Sequence, residues 1–310
     1  MSNKPFGRIL IIKLGALGDF VLATGPFSAI RKTHQKANII LLTTSPFVEL
    51  ARKSGFFDEV WIDEKPSRID FFGIQRLRKK LRDGQFNFVY DLQTSRRSGW
   101  YYRLFADDNC PQWCGIAKGC SHPHLNPNRN KMHTIERQAE QLTLTGILDT
   151  PLPDLSWLKP KLKNFTLPEK FVLLVPGAAG HRPLKRWPPE NYKKLVGLLS
   201  NKGFETVVIG GKDELGLANK IVAGTNAVSL VGRTTIAELA GLSRRAHGAI
   251  GNDTGPMHIA AVCGCPSTVL FSTVSNPQIT APRGPNVVIL QRTNLVNLSV
   301  GEVADTLRLR

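Results

Sequence analysis

RILIIKLGALGDFVLATGPFSAIRK, residues 8–32, is the stretch that decides the fold. Five of its first seven residues are apolar, a glycine-containing turn follows, and residues 20–32 have the composition of a helix. A buried strand, a tight turn and a helix in that order are typical of the first unit of a parallel α/β sheet. The sequence therefore predicts a strand that leads directly into a helix at this point.

The same alternation of strand and helix continues through the chain. Strands are predicted at 39–43, 60–62, 86–92, 171–175, 206–210, 249–250 and 268–271, and helices at 70–82, 189–201 and 236–245. Strands that alternate with helices predict parallel sheets, so the expected fold class is α/β.

A proline-rich segment separates two sets of these elements. Residues 150–168 contain four prolines and little periodicity, which is the composition of an interdomain linker. We predict a Rossmann-like domain over 1–160 and a second over 161–310. Ligands of open α/β sheets bind at the carboxyl ends of the strands, so a cleft between the two carboxyl edges is the expected substrate site.

The charge of the chain is unusual. Lysine and arginine number 41 against 24 aspartates and glutamates, a net charge of +17. An excess of this size indicates an anionic partner, which could be nucleic acid, an anionic membrane surface or a phosphorylated small substrate. The chain has neither a zinc-finger spacing nor an aromatic and basic RNA-binding motif, so we expect no nucleic acid.

Apolar runs and cysteines bear on the compartment. No apolar run reaches the roughly 18 residues that span a bilayer, and Arg8, Lys13 and Asp19 interrupt the apolar stretch near the start. Five cysteines do not form the pattern of a disulfide framework. These features predict a cytoplasmic protein.

The first glycine turn reads Lys13-Leu14-Gly15-Ala16-Leu17-Gly18-Asp19. It is not the dinucleotide fingerprint, because it lacks the third glycine and the acidic residue at the end of the second strand. Asp19 has two interpretations. It caps the free amides at a helix start, or it accepts the proton of an attacking hydroxyl at the mouth of the cleft.

Two motifs of the second half are typical of anion binding. Pro176 to His181 and then Lys185-Arg186 place small residues and two cations after a strand. Gly251 to His258 places an Asn-Asp-Thr-Gly-Pro turn at a helix start, where free amides could hold a phosphate. A solvated basic loop and a capped helix with a buried histidine are the alternative interpretations of these motifs.

Three cysteines and two histidines between residues 110 and 124 raise the question of a metal. They are Cys110, Cys114, Cys120, His122 and His124. Their spacing matches no zinc-ligand pattern, so no metal or other cofactor is expected.

Taken together, these segments resemble glycosyltransferase family 9, the heptosyltransferases of lipopolysaccharide core assembly. The resemblance covers nearly the whole chain and rests on segments 14–19 (LGALGD), 176–192 (PGA to KRWPPENY), 210–214 (GGKDE), 252–261 (NDTGPMHIAA) and 265–271 (CPSTVLF). It implies a GT-B fold, in which two Rossmann-like parallel-sheet domains face each other across a cleft. The first domain would bind the acceptor and the second an ADP-sugar donor, with inversion at the anomeric carbon and no metal.

The resemblance also assigns residues. Asp19 matches the catalytic base, Lys185 the lysine that holds the donor phosphates, and Glu214 the acid that contacts the nucleoside ribose. Further donor-site residues by this resemblance are Asp253, Thr254, Gly255 and His258, with a looser match at Gly180, His181 and Thr234. The chain departs from the family at Ser272 to Pro277, where the family usually has glycine and a Thr-Asp/Glu-Pro turn.

The acceptor side carries no signature beyond basicity. Basic residues of the first half are Arg76, Arg78, Lys79, Lys80, Arg82, Arg96, Arg97 and Arg103. We expect Arg96 and Arg97 to contact an anionic lipopolysaccharide precursor, and the basic surface to hold the enzyme at the inner face of the inner membrane. The five cations of residues 76–82 could equally be a solvated helix face.

The expected function is transfer of heptose from ADP-heptose to a lipopolysaccharide inner-core acceptor. The alternatives are another nucleotide-sugar donor, a non-catalytic protein that binds nucleotide sugars, and a basic nucleic-acid-binding α/β protein.

Overall fold

The computed structural model describes residues 7–67, 69–105, 110–180 and 182–310. The chain folds into two compact units, Met1–Pro153 and Asp154–Arg310. The division falls within the proline-rich segment 150–168. In the described residues, no helix is long and apolar enough to cross a bilayer.

Unit 1 is built on a parallel sheet of six strands in the order β3-β2-β1-β4-β5-β6. The strands are β1 (Arg8–Ile12), β2 (Asn38–Thr43), β3 (Glu59–Ile62), β4 (Phe88–Asp91), β5 (Gln112–Gly115) and β6 (His122–Pro123). The helices are α1 (Leu17–Leu22), α2 (Thr24–Thr33), α3 (Val48–Ser54), α4 (Phe71–Asp83), α5 (Arg96–Tyr101) and α6 (Thr134–Thr143). Short 3₁₀ turns cover Ser45–Phe47 and Tyr102–Leu104.

The central strands of unit 1 lie in its hydrophobic core. Strands β1 and β2 are parallel with Ile9 opposite Ile39, and β1 also pairs with β4 with Ile9 opposite Phe88. All three side chains are at most 1% exposed, as expected for central strands that helices cover on both faces. The strand order reverses between β1 and β4, so the carboxyl ends of these two strands form the predicted ligand-binding edge.

Unit 2 repeats the architecture with the order β12-β11-β10-β7-β8-β9. The strands are β7 (Phe171–Val175), β8 (Glu205–Val208), β9 (Val228–Ser229), β10 (Gly248–Asn252), β11 (Ser267–Ser272) and β12 (Val287–Arg292). The helices are α7 (Pro189–Asn201), α8 (Leu215–Val222), α9 (Ile236–Arg245), α10 (Gly255–Val262), α11 (Pro277–Thr280) and α12 (Val300–Asp305), with 3₁₀ turns at Pro183–Lys185, Lys212–Glu214 and Leu295–Asn297. Here the order reverses between β7 and β10.

The α/β class and the parallel sheets predicted from the sequence are confirmed. The predicted helix at 70–82 is α4, and the predicted strand at 60–62 is β3, one residue longer at its start. Sequence reasoning did not identify β5, β6, β9 and β12. Strands β6 and β9 have only two residues each, too few for a hydrophobic period to register.

Candidate functional site

Asp19 lies at the reversal point of the unit 1 sheet. Strand β1 ends at Ile12, and α1 begins at Leu17 after a four-residue turn. Gly15 has φ of 116°, a conformation that favours glycine, and a Cβ there would lie 2.8 Å from the Phe47 ring. The peptide bond from Gly15 to Ala16 is cis. This turn places Asp19 in the first turn of α1, at the carboxyl edge of the sheet.

The Asp19 carboxylate does not cap its helix through a side-chain hydrogen bond. Ala16 occupies the cap position, and α1 has no side-chain cap. Asp19 is half-buried, and no hydrogen bond joins its carboxylate to another described residue. The carboxylate is thus available to a ligand at this edge, which is the geometry that a general base requires.

Two cations lie within electrostatic reach of Asp19. Lys13 is 4% exposed and donates from Nζ to the Leu92 carbonyl at 3.1 Å. Burial lowers the pKa of Lys13, and the charge of Asp19 opposes that shift. Burial likewise lowers the pKa of Arg137 on α6, and Asp19 opposes it.

A brace from β4 fixes the Asp19 turn. Gln93 Oε1 accepts the Leu14 N–H at 2.8 Å, and Asp91 Oδ1 in turn accepts the N–H groups of Gln93 and Thr94 at 3.1 and 2.9 Å. Asp91 is fully buried, and burial raises its pKa to about 6. We define Asp91, Gln93 and Lys13 as the β4 brace. Sequence reasoning missed Asp91 and Gln93, although an aspartate that ends a strand beside β1 was a signal for them.

The two arginines assigned to the acceptor have different surroundings. Arg96 lines a cavity of ≈ 490 Å³ at the carboxyl edge, together with Trp100, Arg103 and Lys118. Arg97 donates from Nη1 to the Pro66 carbonyl at 3.1 Å and to the Tyr101 hydroxyl at 3.4 Å. Arg96 therefore faces a space that an anion can enter, whereas Arg97 ties the loop before α4 to α5.

In unit 2, an ion pair joins two of the predicted donor-site residues. Lys185 Nζ lies 2.5 Å from Asp253 Oδ2, and the two side chains are only 12% and 7% exposed. The 3₁₀ turn after β7 positions Lys185, and the end of β10 positions Asp253. The pair therefore links the two strands at the reversal point of this sheet.

Asn252 connects the same two strands through its side chain. Its Nδ2 donates to the carbonyls of Pro176 and Gly177 at 2.7 and 3.3 Å. Its Oδ1 accepts the Trp187 N–H at 3.0 Å and the Tyr192 hydroxyl at 3.1 Å. The side chain is 0% exposed and fixes the loop that carries Lys185. The sequence motif contained Asn252, but its role depends on partners 60 or more positions away.

Glu214 packs against the glycines of two strand ends. A Cβ at Gly177 would lie 1.6 Å from Glu214 Oε1, and one at Gly210 would lie 2.3 Å from Oε2. Burial raises the pKa of Glu214, while the N–H of Gly211 and the charge of Arg186 lower it. These glycines allow the carboxylate to lie at the carboxyl ends of β7 and β8, next to the loop that carries Lys185.

The start of α10 completes this edge. Thr254 is the cap residue with extended backbone, Gly255 is the first helical residue, and no side chain caps the free amides. His258 is 5% exposed and lies in the first turn of α10. The N-terminus of an eight-residue helix at this place is suited to an anion.

The three looser predictions have separate outcomes. Gly180 is exposed in the loop after β7, with no heavy atom within 4 Å of a Cβ placed on it. His181 lies outside the described residues. Thr234 follows β9 and directly precedes Thr235, which caps α9. The structure thus brings Lys185, Glu214 and Asp253 to the carboxyl edge of the sheet with Thr254 and Gly255. Thr234 follows the outermost strand, β9, on the far side of β8 from this group.

The cysteines of residues 110–124 are all free thiols. Cys114 Sγ donates to the Gln141 carbonyl at 3.3 Å, and burial raises the pKa of this thiol to about 12. Across the part of the chain that the structure describes, no three His, Cys, Asp or Glu side chains converge as metal ligands.

The sequence of the chain matches a known protein family and individual members of it. The sequence model of glycosyltransferase family 9 (heptosyltransferase) matches residues 74–301. Lipooligosaccharide heptosyltransferase 2 of Haemophilus ducreyi is 23% identical over 96% of this chain and 93% of that protein.

Solved structures show the same fold. The family 9 glycosyl transferase of Veillonella parvula superposes with a TM-score of 0.82 at 20% identity, over 97% of this chain and 95% of the other. The Escherichia coli ADP-heptose lps heptosyltransferase II superposes with a TM-score of 0.79 at 19% identity, over 96% and 97% of the two chains. The GT-B fold expected from the sequence is confirmed.

Proposed function

The chain belongs to glycosyltransferase family 9 and is a glycosyltransferase, and from that premise we propose that it transfers heptose from ADP-heptose to a lipopolysaccharide inner-core acceptor. Unit 1 would bind the acceptor and unit 2 the donor, each at the carboxyl edge of its sheet. The names of the similar proteins, which include an ADP-heptose lps heptosyltransferase, support this donor and this acceptor class.

One observation carries the proposal. The Asp19 carboxylate does not cap its helix and has no hydrogen bond to the described residues, and it lies at the edge where an open α/β sheet binds its ligand. Asp19 would accept the proton of the acceptor hydroxyl while that oxygen attacks the anomeric carbon of the sugar. The bond from the anomeric carbon to the diphosphate oxygen breaks on the opposite face, so the configuration inverts and ADP leaves.

Residues of unit 2 would stabilise the departing diphosphate. Its negative charge grows as the bond breaks, and preorganised cations and amides lower the energy of that state. Lys185 and the free amides at Gly255 are the groups for this role, and Asp253 holds the Lys185 ammonium in place. Glu214 is placed to accept hydrogen bonds from the ribose hydroxyls, and His258 supports the start of α10. In this proposal, these groups replace a divalent ion.

The remaining assignments concern the acceptor and the location. Arg96, Arg103 and Lys118 surround a cavity suited to an acceptor rich in phosphate and carboxylate. We propose that the protein works at the cytoplasmic face of the inner membrane, because such an acceptor is anchored in an anionic leaflet. The net charge of +17 supports contact with that surface.

A thermal-shift panel of nucleotides tests the donor. A ligand that binds only the native state raises the melting temperature by mass action. We expect ADP and ADP-heptose to stabilise the protein more than UDP- or GDP-sugars do. Stabilisation by UDP- or GDP-sugars instead would contradict the donor assignment, and the segment from Ser272 to Pro277 would then be the first place to look for the cause.

A further inference from the structure

Three large apolar side chains protrude from unit 1 at the start of α4. Ile69, Phe71 and Phe72 are 95%, 63% and 75% exposed, and we call them the apolar tip. The two phenyl rings pack edge to face with centroids 5.9 Å apart. Asp70 Oδ1 accepts the Gly73 N–H at 2.8 Å and caps the helix. The apolar tip is therefore attached to a well-formed helix start.

Cations continue from the apolar tip along the same helix. Residues 72, 76, 79 and 83 follow helical spacing, so Arg76 and Lys79 lie on the exposed face that begins with Phe72. Arg76, Lys79 and Lys80 line a cavity of ≈ 480 Å³ together with Arg8, Trp61, Asp83 and Gly84. We call this cavity the cationic groove. Lys80 Nζ lies 5.3 Å from the centre of the Trp61 ring, and Asp83 pairs with Lys79 at 2.8 Å.

The apolar tip lies at the edge of the sheet that carries Asp19. Helix α4 follows the carboxyl end of β3, and all strands of this sheet are parallel. Strand β3 is two positions from β1, which is about 10 Å in the plane of the sheet.

We propose that this surface docks on an anionic lipid bilayer, with the apolar tip inserted among the acyl chains and the cationic groove against the headgroups. Protruding aromatic residues flanked by cations are the pattern of interfacial membrane binding. Three protruding side chains offer far less area than the roughly 800 Å² per partner of a stable protein interface. The inference rests on its own observations. If the proposed function holds, insertion of the apolar tip also brings the edge that carries Asp19 close to the bilayer that holds the acceptor.

Vesicle sedimentation tests the proposal without donor or acceptor, so its outcome is independent of sugar transfer. The full chain is mixed with vesicles of phosphatidylethanolamine containing one third phosphatidylglycerol, and with vesicles of phosphatidylcholine alone. We expect the protein to bind the anionic vesicles and to lose most of that binding in the zwitterionic vesicles or at high salt, because the headgroup attraction is screened.

Paired variants separate the apolar tip from the cationic groove. Phe71→Ser with Phe72→Ser should weaken partitioning into anionic vesicles at least about tenfold. A tenfold change corresponds to about 1.4 kcal/mol, and the transfer of one phenylalanine side chain out of water contributes more than that. Arg76→Gln with Lys79→Gln should weaken binding and reduce its dependence on salt. Leu148→Ser with Leu152→Ser is the apolar control, because both side chains are more than 70% exposed elsewhere in unit 1.

Lys32→Gln with Lys36→Gln is the charge control, because both lysines are exposed away from α4. Both control pairs should stay within about twofold of the unaltered chain, since a tenfold change is the expected signal. Equal losses in control and tip variants would overturn the proposal. Unchanged vesicle binding of the Phe71→Ser with Phe72→Ser variant would also overturn the proposal. If sedimentation velocity then showed that this variant had lost self-association, the apolar tip would be a contact between copies of the chain instead.

Discussion

The ion pair between Lys185 and Asp253 gives the sharpest prediction, because it bears on stability and on donor binding in different ways. The atoms are 2.5 Å apart, and the side chains are 12% and 7% exposed. Removal of one partner leaves an uncompensated buried charge, which costs about 3–5 kcal/mol. Since some water reaches Lys185, we expect Lys185→Met to lie at the lower end, about 3 kcal/mol. In a unit of this size that corresponds to a melting temperature lower by about 6–12 °C.

A double-mutant cycle isolates the pair. Asp253→Asn keeps the shape and an acceptor oxygen, so we expect a smaller loss of about 2 kcal/mol. The double variant should be more stable than the sum of the two losses predicts, by about 2 kcal/mol, because neither charge remains buried alone. Chemical denaturation measures all four chains. Lys194→Met is the matched control, because Lys194 lies exposed on α7 of the same unit.

Calorimetric titration of ADP and of adenosine then tests the role of the ammonium. A charge-assisted hydrogen bond contributes about 1.5–3 kcal/mol, so Lys185→Met should weaken ADP binding by about 10- to 100-fold. Adenosine has no phosphate, and its affinity should change less than about twofold. Additive stability losses within about 0.5 kcal/mol would refute the coupling. An unchanged ADP affinity would refute the phosphate contact.

Three further predictions follow from the two edges. Asp19→Asn should reduce transfer by about 10²- to 10⁴-fold while the Kd of ADP stays constant, and normal transfer in this variant would contradict the base assignment. Gly177→Ala should weaken ADP binding, because the new Cβ would lie 1.6 Å from Glu214 Oε1. In the control Gly197→Ala, on α7, the new Cβ meets nothing within 4 Å, so ADP should bind as it does to the unaltered chain. The pKa of Asp91 is raised from 3.8 to about 6, so the folded state holds its proton more tightly than the unfolded state and ionisation destabilises the fold. The free energy of unfolding of the unaltered chain, relative to that of Asp91→Asn, should therefore fall by up to about 3 kcal/mol between pH 4 and pH 7. Urea denaturation of both chains measures it. If this difference in unfolding free energy stayed constant with pH, Asp91 would not ionise in that range.

Much of the fold could be predicted because its central strands are continuous apolar runs. Residues 9–12 and 171–175 are buried, and a glycine lies within three residues after each, followed later by a helix. That pattern fixes a parallel α/β unit and places a turn at the carboxyl end of the strand. Strands β6 and β9 were missed because two residues carry no hydrophobic period, and β5 because only four residues, two of them polar or glycine, form it. Strand β12 begins with the apolar run VVIL and was overlooked.

The candidate site was predictable as residue types and turns, but not as contacts. The sequence indicated that Lys185 and Asp253 lie near the donor. It did not show that these two residues, 68 positions apart, form an ion pair with each other. The contact of Gly177 with Glu214 likewise depends on the adjacency of β7 and β8 in the sheet. Asn252 and the β4 brace were missed for the same reason, since each joins strands that are distant in the chain.

The β4 brace has a consequence for redesign of acceptor choice by directed evolution. Positions 91 and 93 belong to the scaffold, because they hold the backbone of the turn on which Asp19 lies. If Asp19 is the base, as proposed, randomised libraries that include positions 91 and 93 would mostly contain variants in which its carboxylate is misplaced. The lining of the adjacent cavity, at Arg96, Trp100, Arg103 and Lys118, can be diversified separately, because none of these side chains belongs to the β4 brace. Under the proposed function, the reactive carboxylate and the surface that selects the acceptor would therefore be separable within one sheet edge.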